Sequence, residues 1–137
     1  MSKLVSAAAI LLFACRLVPA QGGGKAEPKR IEFASGAARL TGTLANLQEM
    51  DFVFAGKKGQ TVTIKMSNPR LFDYRVFCLE ADFDTEFDSS PASAIELPAT
   101  CSYLLFVRKK IVRGTRTARF HLTIKITDKR PLPEFGR

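Results

Sequence analysis

The chain has 137 residues, with 21 Lys and Arg against 13 Asp and Glu, one His, three Cys and no Trp. That length allows one domain with a modest core. A single histidine, with no Ser/His/Asp set, metal-ligand cluster or phosphate loop, argues against an enzyme, a metal site or a cofactor.

Residues 1–20 read as a signal peptide. Lys3 precedes an apolar run from Leu4 to Cys15, too short to span a bilayer but suited to the core of a secretory signal. Val18-Pro19-Ala20 offers small residues for cleavage, making Gln21 the expected new N-terminus. A rival reading takes Leu12-Phe13-Ala14-Cys15 as a lipobox; a lipidated Cys15 would then anchor the protein to a membrane. Phe13 is bulky for that motif, so simple export to the periplasm or beyond is preferred. Loss of Lys3 and Arg16 leaves 19 basic residues against 13 acidic, a balance of +6. Cys78 and Cys101 remain, an even pair in an oxidising compartment, which reads as a disulfide; two unpaired buried thiols are the alternative.

Residues 21–29 form a Gly-rich flexible lead. From there short runs of Thr, Val, Ile and Phe alternate with Gly, Pro, Asn and Asp, the pattern of strands and turns. "ARLTGTLAN" and "EMDFVFAG" flank a turn at 46–48, and "GKKGQ" at 56–60 makes the next tight turn. "QTVTIKMS" places Val62, Ile64 and Met66 on one face; "SNPR" ends it with Pro69 as breaker. "DYRVFCLE", "SAIELP", "CSYLLFV" and "ARFHLTIKI" supply further strands, with the acidic "ADFDTEFDSSP" between the first two. Seven to eight strands and no helical stretch predict an all-β, antiparallel β-sandwich over residues 30–127. The tail 128–137, with two prolines and no alternation, is expected to trail off loosely.

Candidate chemistry is sparse. In "ARFHLTIKI" the apolar residues share one face, so His121 points the other way, beside Thr123 and Lys125, and has no catalytic partner. "DFDTEFD" sets acids at alternate positions but has no glycine for a calcium loop. It reads as a solvated strand with Phe83, Thr85 and Phe87 inward, or as an acidic loop. The basic run 108–119 has neither the interleaved aromatics nor the motif of a nucleic-acid binder. It lies in sequence opposite an acidic segment at 73–96, and the two either face each other or mark separate surfaces.

"IEFASGAARLTGTLANLQEMDFVFAGKKGQTVTIKMSN", "LPATCSY" and "RKKIVRGTRTARFHLTIKI" together resemble the periplasmic lysozyme inhibitors directed at invertebrate-type and goose-type lysozymes. The resemblance covers roughly residues 30–127. It implies a partner lysozyme and a loop of the form Ser-Gly-x-Tyr that opens the penultimate strand and enters the enzyme's cleft, assisted by an arginine-rich loop. Thr100-Cys101-Ser102-Tyr103 stands at that place, with Cys101 in place of glycine and Phe106 where the family carries arginine. The implied target-binding residues are Thr100, Ser102, Tyr103, Arg108, Arg113 and Arg116. Their hydroxyls and guanidinium groups suit a cleft lined with carboxylic acids, and the Tyr103 ring suits a sugar subsite. The competing expectation is a non-catalytic module of pre-peptidase-like sandwich fold that binds cell-wall glycan or an anionic polymer through the basic hairpin. Neither reading fixes the lysozyme class or the oligomeric state, homodimer included.

Overall fold

The computed structural model describes residues 27–128. The expected signal at 1–20, most of the Gly-rich lead and the tail from residue 129 lie outside the described residues. Nine strands form, in chain order β1 (Lys29–Arg30), β2 (Ala37–Ala45), β3 (Glu49–Gly56), β4 (Thr61–Met66), β5 (Phe72–Cys78), β6 (Phe83–Asp84), β7 (Ala92–Glu96), β8 (Cys101–Lys109) and β9 (Thr117–Thr127). They make two sheets, one ordered β1-β3-β8-β5-β6 and the other β2-β9-β4-β7. All pairings are antiparallel except that of β1 with β3. The β-sandwich read from the sequence is therefore the fold, and the strands beyond the expected seven to eight are the two-residue β1 and β6.

Alternation explains the packing. Along β8, Tyr103, Leu105, Val107 and Lys109 are buried, while Ser102, Leu104, Phe106 and Arg108 point outward. β5 follows the same rule with Phe72, Tyr74, Val76 and Cys78 inward. The second sheet answers with Val62, Ile64, Phe120, Leu122 and Ile124, all essentially unexposed. Phe120 joins the layers by edge-to-face contacts with Phe52 and Phe72, ring centres 6.4 and 5.7 Å apart. Each such side chain contributes roughly 1.5–3 kcal/mol by leaving water.

One element departs from the pattern read in the sequence. Within "DFDTEFD" only Phe83–Asp84 pairs as a strand. Asp82 and Glu86 adopt φ of 51° and 60°, the left-handed region, and each reversal breaks the period-two alternation. Phe83 still packs against the core, edge-on to Tyr103. Phe87 instead lies on the outer face, under Arg108.

Candidate functional site

The loop before β8 is fastened from several sides. Cys78, the last residue of β5, is bonded to Cys101, the first of β8. A Glu80 carboxylate oxygen lies 3.3 Å from each sulphur. The Lys58 N–H donates to Thr100 Oγ1 at 3.1 Å, which ties the loop to the β3–β4 turn. Leu97 is buried and exchanges backbone hydrogen bonds with that turn, accepting from Gly59 and donating to Gln60. Gly56 makes the approach feasible: a Cβ there would sit 2.4 Å from Leu97 Cδ1 and 2.9 Å from the Tyr103 ring. Thr100 and Ser102 are exposed beside these anchors, as are Lys57 and Lys58.

Tyr103 occupies a different place from the one the resemblance implied. Its side chain is fully buried, stacked on Phe54 at 5.5 Å between ring centres. Its hydroxyl donates to the Ala99 carbonyl at 2.6 Å and accepts from the Ala99 N–H at 3.3 Å. Period-two alternation from Leu105 and Val107 dictates this inward direction. A ring so placed cannot fill a partner's sugar subsite without leaving the core. Tyr103 holds the loop from beneath, and Thr100 and Ser102 are what the loop presents.

The basic segment lies elsewhere, and it is not the hairpin of two long strands that the sequence suggested. β8 and β9 belong to different sheets, and only a small hairpin turn closed by the Val112–Thr115 pairing stands between them. Cys101 and Lys109 are the two ends of β8, a strand of nine residues. At roughly 3.4 Å per residue they stand about 27 Å apart. Arg113 and Arg116, exposed on the connection between β8 and β9, are therefore at the end opposite Thr100. The fold does not bring the two halves of the expected site together. What holds the hairpin is Lys109, a fully buried residue. Its Nζ donates to Asn46 Oδ1, the Lys110 carbonyl and the Thr115 carbonyl at 2.9, 2.6 and 2.8 Å. Three acceptors saturate the three N–H bonds of an ammonium, which is what its burial requires.

Arg108 is likewise engaged within its own chain. Its guanidinium forks onto Asp73 at 2.7 and 3.1 Å and lies 3.7 Å from the centre of the Phe87 ring. Asp73, though on an outward-facing position, is buried beneath these two residues. Arg75 forms a matching fork with Asp84 and reaches the rings of Phe77, Phe87 and Phe106. The Arg75 guanidinium holds the Asp84 carboxyl below the ordinary carboxylate range. Acidic and basic segments thus meet on the outer face of the first sheet, where Arg75 and Arg108 are consumed. Arg113 and Arg116 stay exposed.

Lys57 and Lys58 escaped the sequence reading, in which "GKKGQ" was only a turn. A usable signal existed, because two adjacent lysines in a tight turn, here the one that carries the chain from one sheet to the other, cannot both lie over a core. Their proximity to Thr100 depends on a contact 42 residues distant in sequence, and that no local pattern carries.

The class of molecule is a small nine-stranded sandwich with a disulfide-fastened loop at one end. No protein-family model matches the sequence, and no curated protein matches it. Among solved structures the chain is similar to Aeromonas hydrophila PliG, a periplasmic lysozyme inhibitor of g-type lysozyme. The TM-score is 0.60 at 22% identity, over 73% of this chain and 96% of that one. It is similar also to the Salmonella Typhimurium PliG of the same description, with TM-score 0.60 and 22% identity over 75% of this chain and 100% of that one. A mutant of the Escherichia coli protein, PliG-Ec, gives TM-score 0.57 and 26% identity over 74% and 100% of the two chains. The three-dimensional likeness and the resemblance read from residues alone point to the same group of proteins.

Proposed function

We propose that the protein is a periplasmic, non-catalytic inhibitor of lysozyme, directed at the g-type enzymes, and that the disulfide end enters the target's cleft. The likeness to the PliG structures supports the target class. The observation that carries the site is the juxtaposition of Thr100 with Lys57 and Lys58, on a loop pinned by Cys78–Cys101 and by Tyr103.

A lysozyme cleft carries a general-acid carboxylic acid and usually a second carboxylate. The Thr100 hydroxyl, already accepting from Lys58, keeps its own proton to donate to such a group. Ser102 offers a second hydroxyl on the outer face, and the two lysines supply positive charge where water is being excluded. Because the loop is fastened before binding, little ordering cost remains to be met on association. Arg113 and Arg116, beyond the far end of β8, a strand about 27 Å long, act on the encounter through long-range charge alone.

The test is a bacteriolysis titration of residues 21–137 against chicken-type, invertebrate-type and goose-type lysozymes. Stoichiometric inhibition of the goose-type enzyme is expected. The pair Lys57→Ala/Lys58→Ala and the single Thr100→Ala should each weaken it about tenfold or more, as loss of a central charged or hydrogen-bonded contact does. Arg113→Ala/Arg116→Ala should change it by about twofold at physiological salt, where charges beyond ~8 Å are screened. The reverse pattern would move the inserting element to the basic hairpin.

A further inference from the structure

The outer face of the second sheet carries a charge pattern that lysozyme inhibition does not use. Cross-strand registers place Arg39 of β2 beside Thr123 of β9, and Thr123 beside Lys65 of β4. One step along, His121 stands opposite Thr41. Since Leu40, Leu122 and Met66 point into the core, these neighbours all point out. Arg119 and Lys125 extend the same face along β9 in either direction. Among the described residues none of these four Lys and Arg has an ion-pair partner, and the ion pairs of Arg75 and Arg108 lie on the other sheet. Glu96, on the outermost strand β7, is the sole carboxylate of this face among the described residues.

The face also has a built depression. Arg39, Lys65 and His121 rim it with the hydroxyls of Thr41, Ser67 and Thr123, over the backbone of Leu40, Met66 and Leu122, whose side chains turn into the core. Cationic groups and hydroxyl donors converging on a shallow hollow suit the oxygens of a phosphate group. Two features narrow the source. The face presents no Phe or Tyr, so it lacks the stacking platform by which single-stranded nucleic acids are held. It is a sheet surface with its charges spread across three strands, which suits a planar array of phosphates better than a single ligand.

We propose that this face binds the anionic phospholipid surface of a membrane, with one headgroup phosphate seated between Arg39, Lys65 and His121. It is separate from the disulfide end, so the inference does not rest on the proposed inhibition of lysozyme. Binding there would hold the protein at the envelope surface while leaving the 97–102 loop free.

Co-sedimentation with vesicles of phosphatidylglycerol and phosphatidylcholine, against phosphatidylcholine alone, tests this with residues 21–137. Binding should require phosphatidylglycerol and weaken as salt is raised. At roughly fivefold per basic residue near an anionic surface, Arg39→Ala/Lys65→Ala should weaken it about 25-fold. Goose-type lysozyme inhibition by the same variant should be unchanged. The charge-matched control Lys29→Ala/Arg30→Ala, at the edge of the other sheet, should lose about twofold or less, the share owed to net charge alone. No dependence on phosphatidylglycerol, or an equal loss in the control, would overturn the proposal. So would displacement by inorganic phosphate at matched ionic strength, which would assign the hollow to the free anion. Equal capture by duplex DNA would mark a general polyanion face and overturn it too.

Discussion

At one end of the sandwich a covalent bridge fixes the chain, and at the other a buried ammonium does. Cys78–Cys101 joins the outgoing end of β5 to the incoming end of β8, and Tyr103 adds hydrogen bonds to Ala99 from below. Lys109 gathers Asn46, Lys110 and Thr115 around a single nitrogen. Both ends display exposed cations, but the supports differ in kind. A disulfide acts largely by restricting the unfolded chain and so remains useful if its surroundings loosen. A buried charge depends on every acceptor staying in place, because losing one leaves a desolvated group unmatched. The covalent end suits the loop proposed to enter the lysozyme cleft, which would have to do so unchanged. The polar end is secure only while the hairpin is closed.

The largest expected effect breaks the polar end. Lys109→Ala removes a buried stem and orphans three oxygens, and should lower the unfolding free energy by about 3 kcal/mol or more in a urea titration. Lys109→Met keeps the stem without the hydrogen bonds and should restore only the packing share. A loss below ~1 kcal/mol in the alanine variant would show that Nζ does not fasten the hairpin.

Breaking the covalent end comes next. Cys78→Ser/Cys101→Ser opens a loop with a sequence separation of 23 and should cost about 3 kcal/mol. It should also weaken lysozyme inhibition, whereas Lys109→Met should leave the inhibition of the folded fraction intact. Gly56→Ala drives a methyl into Leu97 and Tyr103, and should destabilise by about 1–3 kcal/mol by overpacking. Free thiols in the native protein would remove the basis of the comparison.

Smaller is Tyr103→Phe. It keeps the ring and drops the bonds to Ala99, at a cost of about 1 kcal/mol. Faster amide exchange at Ala99 should accompany it. A large loss of inhibition with unchanged exchange would return Tyr103 to the binding surface.

The smallest effects come with pH. Burial raises the Tyr74 hydroxyl above its ordinary value, against the opposing hydrogen bond with Ser93. The folded state therefore keeps that proton longer. Its stabilising share is complete below about pH 10 and is lost as pH climbs through the raised value. Asp84 and Asp88 run the other way, held low chiefly by Arg75 and by Ser90 respectively. Their shares are present above about pH 4 and disappear as pH falls through the lowered values. Tyr74→Phe should flatten the alkaline limb of a melting-temperature profile and leave the acid limb alone.

Alternation made the sandwich legible. The core faces of β4, β8 and β9 follow from residue types two apart, and so does the outward direction of His121. The cysteine pair followed from count and compartment. The same rule, applied strictly along β8 from Leu105, sends both Tyr103 and Lys109 inward. The resemblance drew attention to Tyr103 as a contact residue, and the basic run drew it to Lys109 as surface charge. Neither impression survives the periodicity. What local pattern could not reveal is distance. Thr100 and Arg113 are thirteen residues apart in sequence, yet an extended strand between them puts them at opposite ends of the molecule. The reversals at Asp82 and Glu86 were also hidden, since left-handed residues of this kind answer to tertiary contacts such as the Arg75–Asp84 fork.

The place of β9 in the second sheet bears on how the chain must be made. Among the described residues it is the last strand to be synthesised, yet it lies between β2 and β4, and without it those two have no common neighbour. Through most of translation and export, β2 therefore waits without a strand partner, and β4 has only β7 beside it. The first sheet can pair as soon as residue 109 has emerged, and both cysteines are in place before then. Assembly is thus split in time, with one sheet formed and oxidised early and the other closing only when the C-terminal strand slides into its centre. A chain that stops short of residue 117 would keep only the β4–β7 pair of the second sheet, and the first sheet would be left with much of its apolar face uncovered.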